Sequence, residues 1–356
     1  HLTSVSSRGG GKLSRDYLSA KCAFAADPGL VKAFEKVGGV VLTQGFIARN
    51  TWGETVLLGR GGSDTSAAYF AARLCARRIE IWTDVPGMFT GDPRVVPSAR
   101  LLLALHYDEA QELASAGSSV LHPRCLSPLR ESSIPLFIRC TASPELTGTV
   151  VSTVTDEAEP QVKGICLRNG LTLISMDGVG MWHEVGFLAK AFAVFGEHAV
   201  SVDLVSTSET NVTVSIDNAD GGLSSDTKRA LLADLEKLCR VRAIDDCSSV
   251  SLVGRKIRTI LPRLAPALTV FEEERIHLMS QAASDLHMSF VVDQGQGPKL
   301  VRKLHASMIR AAGDSAVFGQ SWERLFRGDL PVAQTHQTWW MGKRQQLLEL
   351  AGEYGS

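Results

Sequence analysis

Thr55-Val56-Leu57-Leu58-Gly59-Arg60-Gly61-Gly62-Ser63-Asp64-Thr65 is the stretch on which the reading of this chain turns. An apolar run suited to a strand enters a glycine-rich bend, and an Ala-rich segment from Thr65 to Ala76 leaves it as a helix. Glycines let the backbone turn tightly and bring bare N–H groups close to a ligand. The N-terminus of the following helix adds the positive end of its dipole, so the bend suits a carboxylate or a phosphate. Arg60 supplies a permanent cation that can bind in bidentate fashion. Ser63 or Asp64 serves equally well as a plain helix cap. On spacing alone the two readings weigh the same. The bend matches neither GxxxxGK[ST] nor GxGxxG, which disfavours a P-loop NTPase and a Rossmann dehydrogenase.

Working outward, Val40-Val41-Leu42-Thr43, closed by Gly45, reads as a short buried strand, while residues 1–30 suggest no element. Downstream, Ile79-Glu80-Ile81-Trp82-Thr83 is a strand that ends at Asp84 and the Val85-Pro86-Gly87 turn. A helix follows from about Tyr107 to Ala116 with Gly117 as its C′ residue. Ile134 to Ile138 makes a further strand. This alternation argues for an α/β domain with a mainly parallel sheet and helices on its faces. Open sheets of that kind place ligands at strand ends. Asp84 and the nearby Asp92-Pro93-Arg94 are therefore candidates for the same crevice as the glycine bend. A Pro-Gly turn with a capping Asp and a surface Arg is the plainer alternative.

After Thr149 the composition changes. Residues 152–163 are polar and acidic, with Pro160, and read as a linker. A β-α-β-β-α-β order follows: strand Leu171–Ile174, a helix near Val185–Glu197, strand Val200–Val205, the turn Thr207-Ser208-Glu209, strand Asn211–Ile216, a helix near Ser225–Leu238, and strand Val241–Ile244. A second, similar module opens with Ser249–Leu252 and continues through a helix near 261–274, strands Ile276–Ser280 and Met288–Val292, and helix Pro298–Ile309. The repetition suggests a duplicated ferredoxin-like unit. In the first module Gly186-Phe187-Leu188 opens a helix beside Ser201-Val202-Asp203, a place where backbone amides and a carboxylate could hold an amino acid. On pattern alone Phe187 is core. Residues 310–356 fit neither module. Trp322, Phe326, Trp339 and Trp340 sit there among polar residues, as if the tail docks onto something else.

Bulk composition narrows the class. The 37 Lys and Arg residues nearly cancel the 38 Asp and Glu residues, which gives no electrostatic reason to expect nucleic acid or an anionic membrane. No apolar run approaches the ~18 residues of a membrane span. The seven cysteines include no CxxC pair and most sit in apolar surroundings, so reduced, buried thiols in a cytoplasm are expected ahead of a disulfide frame or a zinc site. The start, His1-Leu2-Thr3-Ser4, has no initiator Met and no apolar h-region, and the expectation is a chain cut from something longer.

Leu58 to Asp64, then Ile81-Trp82-Thr83-Asp84-Val85-Pro86-Gly87-Met88-Phe89-Thr90-Gly91-Asp92-Pro93-Arg94, resemble the two signature segments of the aspartokinases, and Val120-Leu121-His122-Pro123 resembles the segment that follows them. The likeness covers roughly residues 40–309. It implies an amino-acid-kinase αβα sandwich, carbamate-kinase-like and partial, over 1–150. A linker at 151–163, tandem ACT modules at 164–309 and a tail at 310–356 follow. It further implies ATP and Mg²⁺ as cofactors and L-aspartate as substrate. Arg60, Gly61, Gly62, Ser63 and Asp64 would face aspartate and the transferring phosphoryl group. Thr83, Asp84, Phe89, Arg94, Ser119 and Val120 would line the nucleotide pocket.

In the sensor half, Met181-Trp182-His183-Glu184-Val185-Gly186-Phe187 and Ser201-Val202-Asp203 through Thr207-Ser208-Glu209 resemble the effector site of lysine-sensitive aspartokinases. The resemblance thus implies lysine as effector, with Glu184 and Asp203 pairing its cationic groups, and a homodimer through the ACT modules. It also allows fusion to a diaminopimelate decarboxylase beyond the tail.

Three departures from the family pattern bear on activity. Its opening Lys-Phe-Gly-Gly-Thr-Ser segment is absent, Leu57 stands where a Thr is usual, and Ser119 stands where a nucleotide-binding Lys is usual. Loss of phosphate-facing cations implies weak kinase activity for this chain. A catalytically degenerate, amino-acid-sensing regulatory subunit is the competing expectation.

Overall fold

The computed structural model describes residues 2–5, 17–154, 161–178, 185–218, 223–260, 275–309 and 316–326. They fall into two compact units, His1–Pro93 with Pro97–Ala158 and Gly313–Ser356, and Arg94–Val96 with Glu159–Ala312. Among the described residues, no helix is long and apolar enough to cross a membrane. None of the seven cysteines forms a disulfide.

The first unit begins with helix α1 (Pro28–Val37), whose N-cap Asp27 accepts from the Leu30 amide and pairs with Arg73. Strands β1 (Ile47–Arg49) and β2 (Thr55–Leu57) form an antiparallel pair, and helix α2 (Gly62–Arg73) follows. Strand β3 (Ile79–Thr83) lies in a four-stranded sheet with β5 (Ala104–His106), β6 (Leu136–Cys140) and β7 (Thr149–Ser152), in the order β3-β6-β7-β5. Its pairs β3–β6 and β5–β7 are parallel, but β6–β7 is antiparallel. Two of its three pairings are thus parallel, as strand–helix alternation suggested, and one is antiparallel. The reason is local: β6 and β7 are joined by a short turn rather than a crossover helix, and Gly148 presses so close to the Ile138 carbonyl that a Cβ would stand 1.9 Å from it.

Helix α3 (Tyr107–Ser115) carries a capping box in which His106 accepts from the Asp108 amide and Glu109 accepts from the His106 amide. Glu109 is fully buried, so that amide satisfies a carboxylate that would otherwise be costly to bury. A single 3-10 turn (Pro123–Cys125) leads into α4 (Leu126–Glu131). The core between sheet and helices is apolar, with Leu58, Met88, Leu102, Leu105, Leu129, Leu136 and Ile138 at zero exposure.

Two expectations for this unit fail. Val40–Thr43 is not a buried strand: the segment is irregular, and Val40 and Leu42 are 83% and 96% exposed. The preceding Gly38 and Gly39 both have positive φ, which turns the chain out of any ladder. A short apolar run by itself does not fix a burial state. The tail also behaves differently. Strand β14 (Phe318–Ser321) pairs antiparallel with β4 (Arg100–Leu102), and the short helix α8 (Trp322–Phe326) follows, so residues 316–326 pack onto the first unit. Trp339 and Trp340 lie outside the described residues.

The second unit is one six-stranded antiparallel sheet in the order β12-β13-β11-β8-β10-β9. Strands β8 (Gln161–Asp177) and β11 (Arg240–Arg255) run through both expected modules and pair along nearly their whole length. The strands Val241–Ile244 and Ser249–Leu252 expected from sequence are thus one strand, kinked by a bulge around Asp246, which has φ 52°. The remaining strands are β9 (Val205–Thr207), β10 (Asn211–Asp217), β12 (Ile276–Gln281) and β13 (His287–Asp293). The second strand of the first module therefore begins later than the expected Val200. Helices α5 (Phe187–Glu197) and α6 (Ser225–Leu235) cover one face of the sheet, where Ile174, Met176, Val212, Val214 and Ile216 meet Phe187, Ala191, Phe195, Leu231 and Leu235. Alternate residues Leu171 and Leu173 face the other side with Cys247, Leu278 and Val291. Leu204 and Leu278, from opposite edges, join that same cluster, so the sheet is strongly curled. Helix α7 (Gly297–Met308) packs Leu300, Val301, Leu304 and His305 inward. The helix expected near 261–274 lies outside the described residues.

Candidate functional site

The glycine bend is built to bring its backbone close to other chain segments. Gly59 and Gly61 have φ of 76° and 64°, a conformation glycine adopts without steric cost. Gly61 is the N-cap of α2, and a Cβ there would lie 2.2 Å from the Cβ of His122. On Gly62, a Cβ would meet the Phe46 ring at 2.4 Å. Phe46 itself has φ 73°, donates its amide to Ser66 Oγ at 3.2 Å, and accepts from the Leu58 amide at 2.9 Å. The bend is therefore held from two sides, by Phe46 and by His122.

Of the sequence candidates here, Arg60 and Ser63 are exposed, Gly62 is buried and Asp64 is half-buried. The carboxyl of Asp64 is raised above the usual carboxylate range by burial, opposed by a hydrogen bond from the His122 amide. The N-cap of α2 is Gly61 and, among the described residues, no side chain caps the helix, so the reading of Ser63 or Asp64 as its cap does not hold. The first-turn amides of α2 thus lack a side-chain acceptor at the point where an anion would sit.

Sequence reasoning stopped one residue short of the main organiser. Arg124, in the 3-10 turn after His122, donates to the Leu58 carbonyl at 2.6 Å, to the Ala20 carbonyl at 2.6 Å and to Ser19 Oγ at 3.0 Å. His122 Nδ1 accepts from the Arg124 amide, tying the two together. The available signal was position: Arg124 directly follows the His122-Pro123 pair already singled out. A cavity of about 340 Å³ lies beside it, lined by Tyr107, Gln111, Pro123, Arg124, Ser127 and Arg130 among others.

The second loop, at the end of β3, forms a separate cluster. Thr83 Oγ1 donates to Asp84 at 3.0 Å, and the Thr83 carbonyl accepts from both the amide and the hydroxyl of Thr141. Asp84 is exposed, as is Arg94. The Met88 amide donates to the buried hydroxyl of Thr149 at 2.9 Å. Phe89 is only 8% exposed, and its ring meets Trp322 edge-on at 5.3 Å and 72°. Its face is committed to the protein. Ser119 is exposed and Val120 half-buried, in the bend after α3.

In the second unit, Met181, Trp182 and Glu184 lie outside the described residues. Gly186 is the N-cap of α5 with φ 90°, and Phe187 is part of the core. Ser201 and Asp203 are exposed and Val202 is half-buried; Thr207, Ser208 and Glu209 are exposed around the β9–β10 turn, where the Ser208 amide donates to the Asn211 carbonyl. Asp203 already has a cationic partner: Arg168 reaches it at 3.1 Å and Asp217 at 3.4 Å. Burial raises the Asp203 carboxyl; Arg168 opposes that shift and Asp217 adds to it.

Comparison with known proteins agrees with this division. The amino acid kinase family matches residues 12–140, and the ACT domain matches residues 174–225. Lysine-sensitive aspartokinase 3 of Escherichia coli (strain K12) is 38% identical over 273 residues, 76% of this chain and 61% of that protein. Aspartokinase 2 of Bacillus subtilis (strain 168) is 30% identical over 287 residues, covering 79% of this chain and 69% of that one. The crystal structure of E. coli aspartokinase III with aspartate and ADP superposes with a TM-score of 0.73 at 33% identity, over 86% of this chain and 68% of that chain. By sequence, this chain thus matches 61% of the length of lysine-sensitive aspartokinase 3 of E. coli.

Proposed function

The chain belongs to the aspartokinase family, and from that premise we propose that it carries the phosphate-facing part of an ATP-dependent aspartate kinase together with an amino-acid sensor. The reaction is transfer of the γ-phosphoryl group to the side-chain carboxylate of L-aspartate, giving 4-phospho-aspartate and ADP. The observation that carries this reading is the bend at Gly59–Asp64, with left-handed Gly59 and Gly61 and a helix start that has no side-chain cap.

The aspartate carboxylate is ionised at neutral pH, so it attacks phosphorus without a general base. As the new O–P bond forms, the bond to the bridging oxygen of ADP breaks. The barrier is the approach of anion to anion, lowered by positioning and by fixed positive charge. Arg60, the amides of Gly61 and Gly62, and the hydroxyl of Ser63 suit that work, while Asp64 meets the amino group of the substrate. Thr83, Asp84, Arg94, Ser119 and Val120 line the nucleotide side, and Phe89 shapes it from beneath. Among the described residues, no trio of acidic, His or Cys side chains converges as a metal cage. Mg²⁺ would arrive on the triphosphate, keeping most of its water, and would supply positive charge against the phosphate oxygens, with Asp84 the nearby carboxylate that would hold it.

The sensor reading takes lysine as effector, held by the start of α5 with Met181, Trp182, Glu184 and Gly186, and by Ser201, Asp203, Thr207, Ser208 and Glu209. A homodimer through the ACT modules, cytoplasmic placement and a fused decarboxylase beyond residue 356 complete the reading. The second reading, a regulatory chain without turnover, is favoured by Leu57 and Ser119 at positions where the family usually has Thr and Lys. ADP release coupled to aspartate and Mg-ATP decides between them. Turnover that disappears in Arg60→Ala supports the kinase. Lysine binding by calorimetry with no turnover supports the sensor alone, and absence of both overturns the proposal.

A further inference from the structure

We propose that Trp322 is a positioning residue for the 84–94 loop, and that residues 317–326 act as a strap holding that loop in its nucleotide-accepting shape; this rests on reading the loop as nucleotide-facing. Sequence reading placed Trp322 on a tail expected to dock onto something else, and the residues it touches name what it docks onto.

Three strips of chain lie side by side. The Thr90 amide donates to the Arg100 carbonyl, the Arg100 amide donates to Thr90 Oγ1, and the Leu102 amide donates to the Met88 carbonyl, so 88–90 clings to one edge of β4. The strap occupies the other side of β4: Phe318 pairs with Leu102, Ser321 pairs with Arg100, and the Leu103 amide donates to the Val317 carbonyl. The guanidinium of Arg100 locks the strap in register by donating to the carbonyls of Phe318 and Gly319, each at 2.9 Å, with its charge 5.4 Å from the Phe318 ring. The Trp322 amide then donates to the Ala99 carbonyl at 2.8 Å, and its indole crosses over to the edge-on contact with Phe89. Phe326 lies against the indole, with ring centroids 4.1 Å apart and planes tilted by 34°.

Phe89 lies between Asp84 and Arg94, so the ring that Trp322 grips anchors the middle of the loop. Removing the indole leaves the β4 ladder in place but opens space under Phe89, and the loop loses its shape without losing a ligand-contacting group. In sequence the strap comes directly after α7, the last helix of the second unit. The loop's shape thus depends on a segment far from either signature motif.

The test compares the full chain with Trp322→Ala and Trp322→Phe, by calorimetric titration of ADP and by hydrogen exchange of residues 84–94. The expected result is roughly tenfold weaker ADP binding in Trp322→Ala, the scale of an edge-on aromatic contact, with faster exchange at Met88 and Thr90. Trp322→Phe should recover most of both, and aspartate affinity should not move. A folded Trp322→Ala that binds ADP and exchanges like the parent overturns the proposal. Should that variant not fold, Trp322→Leu keeps the apolar bulk without the ring and carries the same expectation; failure of both to fold makes the strap a folding element and also overturns it. A parent chain that takes up no ADP instead refutes the nucleotide reading of the loop, and the exchange comparison still decides whether Trp322 shapes it.

Discussion

The guanidinium of Arg124 donates to the carbonyl of Leu58 at 2.6 Å, joining the last residue before the glycine bend to a turn 66 positions further along the chain. The same fork reaches the Ala20 carbonyl and Ser19 Oγ, so three separate segments meet on one side chain. A planar group with fixed donor directions can serve three acceptors at once, whereas an ammonium on a flexible stem cannot hold that geometry.

Arg124→Lys is therefore expected to destabilise the first unit by about 2–3 kcal/mol, since hydrogen bonds from a charged donor contribute about 1.5–3 kcal/mol each and part of the loss is recovered by the lysine. Urea unfolding followed through the first unit measures it. Arg124→Met should cost more, because the two carbonyls are then left without their donor.

Gly61→Ala tests the bend itself. The left-handed φ costs about 1–2 kcal/mol for a residue with a Cβ, and overlap with His122 adds about 1–3 kcal/mol of packing strain. The expected outcome is loss of ADP and aspartate binding together, with a lowered Tm. Gly61→Ala combined with His122→Gly should recover the packing part but not the φ part.

His305 sets a pH dependence in the second unit. Burial lowers its pKa from 6.5 to about 4, so the folded chain holds the ring neutral where the unfolded chain binds a proton. Stability from this group is present above pH 6.5 and falls away as pH drops toward 4, by about 3 kcal/mol in total. Denaturant midpoints measured between pH 7 and pH 4 should fall steeply for the parent. They should fall less in His305→Phe.

Arg168→Met removes the cation that opposes burial at Asp203. The Asp203 carboxyl should then rise further, and a side-chain carbon titration followed by NMR reads the shift directly. An Asp203 that titrates unchanged would show that Arg168 exerts no field there. If lysine is the effector, freeing this carboxylate should also strengthen its binding.

Much of this architecture was legible in the residues, and what was not has identifiable causes. Strand β2, the bend, α2 and β3 followed from composition because each carries its own local signal: β-branched runs, glycine pairs, an Ala-rich helix. Val40–Thr43 misled because an apolar run reads the same whether a neighbouring strand covers it or not. The joined strands β8 and β11 were hidden because a bulge at Asp246 interrupts the alternation, so one strand reads as two. In the site, the glycines and Asp64 were visible from sequence. The roles of Arg124, Phe46 and Trp322 were not, because each acts across a long stretch of chain. Phe89 was assigned to the pocket by motif, and its burial against Trp322 emerges only from the fold.

The long strands have one more consequence. With β8 and β11 each passing through both halves of the sensor, neither half can melt, be excised or evolve its own hinge while the other stays whole. A calorimetric scan should find one transition for this unit, and a tug at the Gln161 end of β8 must register along the whole strand rather than fade within a single half.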